Sequence, residues 1–108
     1  FNAQVGDKSK IMTRTNIAGN MRIGKGCFIG AHVCAVNDNN PFDLKQRNQQ
    51  ISAEIKNNVF IGANTTILPD LIIEEGIQVA ANSTVTKDLK NKNTLYIGSP
   101  AKNRKHEK

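Results

Sequence analysis

Tryptophan is absent from this chain, aromatic residues make up 5% of its 108 positions, and no apolar run approaches the roughly 18 residues a membrane-spanning helix needs. A broad core and a helical membrane span are therefore not expected; a narrow aliphatic core is. Cysteine is scarce as well. Cys27 and Cys34 lack zinc-type spacing, which leaves two buried or half-buried thiols, as in a reducing cytoplasm. No phosphate-cradling loop, nucleophile–base triad or cluster of metal ligands is visible, so a metal is not expected. The net charge is +6, but no aromatic residues interleave with the basic ones and no nucleic-acid module stands out. A phosphorylated small molecule uses such charge more economically than a nucleic acid does. No secretory signal pattern is present, and a soluble, cytoplasmic protein is expected. The sequence starts at Phe1, almost in register with the pattern below, so a further N-terminal portion is expected.

What the chain has instead is a period of six. Val5, Ile11, Ile17, Ile23 and Ile29 occupy one slot, and the slot returns at Ile55, Ile61, Ile67, Ile73, Val79 and Val85. Six residues are too few for a helix pair or a propeller blade, and suffice for one short strand plus one corner. Three slots on stand Asn20, Gly26 and His32, then Asn58, Asn64, Asp70, Gly76, Asn82 and Asp88. Most of these residues enter the left-handed backbone region at low cost, as a corner requires. The expected fold is an all-β triangular prism, one hexapeptide per face, about five coils of ~18 residues over 1–108. Gly6, Ala18, Gly24, Gly30, Gly62 and Ala80 precede corners, where small side chains let successive coils pass closely.

The register fails between Val36 and Ile55. Residues 37–54 are read as a loop pushed out of the prism, and 98–108 as a tail. Long loops on rigid scaffolds are disproportionately functional, so the chemistry is expected there.

Three blocks resemble one family as a set: Val59–Pro69 (VFIGANTTILP), Val79–Asp88 (VAANSTVTKD) and Ile97–Lys102 (IGSPAK). They are similar to the acetyl-CoA-binding half of the hexapeptide-repeat acyltransferases, and the resemblance spans nearly the whole chain. It implies a left-handed parallel β-helix, a homotrimer with sites between subunits, and acetyl-CoA as co-substrate. Carried over by position, Ala63 and Ala81 would line the pantetheine groove one coil apart, and Thr86 and Lys87 would flank the cofactor. Lys102 and Lys105 would face the nucleotide phosphates, which a lysine neutralises as a point charge.

Sugar O-acetyltransferases of the maltose and nodulation-factor type carry His-Pro-[Ile/Phe]-Asp in this loop, with the His as general base. Here the stretch is Asn40-Pro41-Phe42-Asp43. An amide cannot take a proton from a hydroxyl, and the loss of a positioned base costs on the order of 10²- to 10⁴-fold. The nucleotide-amino-sugar N-acetyltransferases instead show Thr-Asn-Asp-x-x-Pro, similar to Val36-Asn37-Asp38-Asn39-Asn40-Pro41. An amine needs less help to attack, so N-acetylation of a sugar or nucleotide sugar is slightly favoured, with Asn37 and Asp38 orienting the amine. His32 is the other internal titratable candidate, although a corner residue of that type fits equally well. Glu54 could assist a base, bind a sugar hydroxyl or simply be solvated. A trimeric β-helix that has lost catalysis and kept a binding or scaffold role is the alternative reading.

Overall fold

The computed structural model describes residues 3–36 and 52–104, which form a left-handed parallel β-helix without an α-helix among them. The middle coils each contribute one two-residue strand to each of three faces. Face A stacks β1 (Gln4–Val5), β3 (Arg22–Ile23), β6 (Glu54–Ile55) and β9 (Ile72–Ile73). Face B stacks β2 (Lys10–Ile11), β4 (Phe28–Ile29), β7 (Phe60–Ile61), β10 (Gln78–Val79) and β12 (Leu95–Ile97), then an antiparallel β13 (Lys102–Asn103). Face C stacks β5 (Cys34–Ala35), β8 (Thr66–Ile67) and β11 (Thr84–Val85), extended by a bridge from Asn16 to Cys34.

The six-residue slot points inward. Ile29, Ile61, Ile67, Ile73, Val79 and Val85 are each 0% exposed, and burial of such a side chain contributes about 1.5–3 kcal/mol. Val5 and Ile11, in the same slot, are 45% and 38% exposed, because among the described residues a coil covers them on one side only. Parallel partners usually stand eighteen positions apart, as Gln4 with Arg22 and Phe60 with Gln78. Across the expected loop they stand thirty-two apart, as Cys34 with Thr66, and the register resumes unchanged.

The corners hold φ near +60° at Asn20, His32, Asn58, Asn64, Asp70 and Asn82, with Gly26 and Gly76 likewise positive. Lys8 and Arg14 also take this conformation, which composition did not flag. Asp88 does not: its carboxylate accepts the Ile72 backbone N–H at 2.8 Å, where earlier coils use a backbone carbonyl; the next positive-φ corner, Asn93, stacks on Gly76 at the edge between faces A and B. Small residues before the corners are required by contact. A Cβ on Gly62 would lie 2.5 Å from the Ala81 nitrogen, and one on Gly30 would lie 2.8 Å from that of Ala63. Of the two thiols, Cys27 is buried, but Cys34 is exposed because it occupies the outward position of its strand.

Candidate active face

Face C and its two edges carry most of the described candidates. Strand alternation sends Ala35, Ile67 and Val85 inward, so Cys34, Thr66 and Thr84 face outward in one parallel row, preceded by Asn16. The last coil adds a second hydroxyl: Ser99 Oγ lies 2.9 Å from Thr84 Oγ1. This row was not singled out in the sequence, although its position directly before the aliphatic slot would have revealed it.

The edge between faces B and C stacks Arg14, His32, Ala63 with Asn64, and Ala81 with Asn82. The Asn64 N–H donates to Ala31 O at 3.0 Å and the Asn82 N–H to Ala63 O at 2.9 Å, which fixes Ala63 and Ala81 one coil apart. Ala63 is half-buried, whereas Ala81 and His32 are exposed. The edge between faces C and A is where the chain leaves at Val36 and returns at Ser52. In the next coils it carries a groove of about 400 Å³ lined by Pro69, Asp70, Leu71, Thr86, Lys87, Asp88 and Lys90.

Ala63 and Ala81 are thus brought together on one edge, with His32 one coil earlier, while Thr86 and Lys87 lie together on the opposite edge. An extended ligand touching both edges has to cross the Thr66–Thr84 row. Small side chains, a hydroxyl row and flanking ammonium groups suit a thin amide-bearing arm ending in phosphates. Lys102 is exposed on β13 of face B, paired with Ile97, and the N–H of the preceding Ala101 donates to Thr84 O of face C at 2.8 Å. Asn37, Asp38, Asn40 and Lys105 lie outside the described residues. Glu54 points out from face A, where its carboxylate meets Lys56 Nζ at 3.2 Å. Both partners are about two-fifths exposed, so this pair contributes little, about 0–1 kcal/mol. No group of three or more metal-ligating side chains occurs among the described residues.

With this geometry in place, comparison with known proteins is informative. Residues 52–87 match the model of the bacterial transferase hexapeptide (six repeats), and residues 21–36 match the hexapeptide repeat of succinyl-transferase. A Schizosaccharomyces pombe protein provisionally named an acetyltransferase is 39% identical over 84 residues, covering 74% of this chain and 40% of the yeast protein. The solved maltose O-acetyltransferase of Clostridium difficile 630 superimposes with a TM-score of 0.74 at 26% identity, over 95% of this chain and 58% of that one. The Bacillus cereus N-acyltransferase AntD was solved, as a point mutant, with dTDP-4-amino-4,6-dideoxyglucose and coenzyme A. It shares the fold, with a TM-score of 0.76 at 24% identity, over 94% of this chain and 61% of AntD. The chain therefore spans two-fifths of the yeast relative and about three-fifths of these two solved structures.

Proposed function

We propose, from the matches of residues 52–87 and 21–36 to hexapeptide-repeat transferase models, that this chain transfers an acetyl group from acetyl-CoA to a sugar or nucleotide sugar, amines being favoured over hydroxyls. The acceptor nitrogen attacks the thioester carbonyl carbon, the carbon–sulfur bond breaks, and coenzyme A leaves as a thiol once the nitrogen's proton is passed on. Asn37 and Asp38 hold the amine, and the Asp38 carboxylate receives that proton. Ala63 and Ala81 leave room for pantetheine beside the edge, Thr86 and Lys87 flank it, and Lys102 and Lys105 neutralise the phosphates. The working unit is a homotrimer in which a neighbouring subunit completes each site; Glu54 in β6 and Lys102–Asn103 in β13 belong to the β-helix rather than to a loop or a tail.

The single observation that carries the choice of an amine is Asn40, an amide where the O-acetyltransferase pattern has its base. The same substitution motivates the second reading, a β-helix that binds without catalysing. The test is thiol release from acetyl-CoA against a panel of amino and neutral sugars. Amino sugars should be acetylated, and Asp38→Ala or Asn37→Ala should lower kcat more than it raises KM. Asn40→His should leave amines unaffected and add transfer to hydroxyls. Rapid acetylation of neutral sugars by the unmodified protein would move the base elsewhere, with His32 the first residue to replace. Acetyl-CoA binding without turnover towards any acceptor would establish the binding role instead.

A further inference from the structure

The last coil departs from the repeat in two ways that together build a groove away from face C. Leu95 pairs with Gln78 seventeen positions away rather than eighteen, and the chain then reverses through Gly98–Pro100 so that β13 runs antiparallel to β12. The reversal carries Arg104 back towards Leu95. Between these segments lies a cavity of about 690 Å³, larger than the grooves of about 280 Å³ on face A and about 400 Å³ beside Lys87. It falls within the range of about 300–1,000 Å³ typical of small-molecule sites.

Its walls have a definite chemistry. Leu95 supplies an apolar surface, Gln78, Asn93 and Thr94 supply amides and a hydroxyl, and Arg104 supplies a guanidinium. No carboxylate occurs among the described residues lining it. The side chains of Gln78 and Arg104 make no hydrogen bond or ion pair with any described residue. The Asn93 amide lies closely over Gly76, where a Cβ would overlap its oxygen. Two amides, a guanidinium and the Thr94 hydroxyl, which donates to Asn91 O and can still accept, over an aliphatic surface match a polyhydroxylated ring bearing one anionic group.

We propose that this groove, on the edge between faces A and B, is a second small-molecule site for a hexose carrying a single phosphate or carboxylate. Arg104 holds the anion, Gln78 and Asn93 bind ring hydroxyls, and Leu95 packs against the ring. The groove lies on a different edge from the Ala63–Ala81 and Thr86–Lys87 positions, although Arg104 stands between Lys102 and Lys105 in sequence, and it does not depend on acetyl transfer.

Calorimetric titration of the full chain with four probes tests it: glucose 6-phosphate, glucuronate, glucose and inorganic phosphate. One of the two anionic hexoses should bind, and which one identifies the anion. It should bind more tightly than glucose or inorganic phosphate, and saturating coenzyme A should not displace it. Arg104→Ala should weaken binding about tenfold or more, as loss of a charged hydrogen bond does, and Gln78→Ala should weaken it less. Lys102→Ala, two residues earlier on β13, should have little effect on this binding. Circular dichroism melting of each variant separates lost binding from lost folding. Equal weakening by Lys102→Ala and Arg104→Ala would show general attraction to a basic end and overturn the proposal. Binding of inorganic phosphate as tightly as the hexose phosphate, displacement by coenzyme A, or no binding at all would each overturn it too.

Discussion

Corners and the residues before them are where single side chains decide most in this molecule. At Lys8 and Arg14 the backbone holds φ of 62° and 61°, a conformation that costs residues with a Cβ roughly 1–2 kcal/mol. Asn and Gly corners could be read from composition because those residues enter this region at low cost; Lys8 and Arg14 show only by their phase in the repeat. Asp88 misled for a related reason. Its short carboxylate suits a corner, but here it serves as a hydrogen-bond acceptor for Ile72. The glycines that permit close approach of coils tolerate least. Gly62→Ala would place a methyl 2.5 Å from backbone that cannot yield, and should cost about 1–3 kcal/mol in urea unfolding. An unchanged midpoint would mean that coils can separate there freely.

At the scale of strands, two residues per face suffice because each inward side chain is stacked above and below by its counterparts. Ile61 and Ile67 are both wholly buried, so replacement of either by Ala should cost about 2–5 kcal/mol on chemical denaturation. Lys90→Ala or Lys92→Ala, at exposed positions, should stay within about 0.5 kcal/mol. The period of six made most of these strands legible, since a slot filled by Ile or Val in coil after coil has no other regular use. It stopped being legible after Val85. Tyr96 enters the core in register with Val79, and its hydroxyl accepts the Asn91 N–H at 3.1 Å, a substitution of ring for aliphatic residue that simple counting passes over. The antiparallel β13 was equally hidden, because the reversal at Gly98–Pro100 lies in a stretch read as tail. Of the candidate site, Ala63 and Ala81 were placed one coil apart correctly. The separation of Thr86 and Lys87 onto the opposite edge needed the faces themselves, which a one-dimensional register does not assign.

For the molecule as a whole, three flat faces raise the question of assembly. Phe28 and Phe60 stack on the outside of face B with ring centroids 5.2 Å apart, and Phe60 and Ile97 remain 44% and 37% exposed. Sedimentation equilibrium at micromolar concentration should give three times the mass of the chain, as the proposed trimer requires, and a stable monomer would refute it. The resumption of pairing across the 37–51 interval carries a different consequence. Cys34 finds Thr66 in the same alignment that Thr66 finds Thr84, although one span is thirty-two residues and the other eighteen. The stack thus enforces the phase of the chain and is indifferent to how much sequence passes between phases. A change in the number of residues between Val36 and Ser52 should therefore leave every described strand with the same neighbour, since the pairing sets phase and not span.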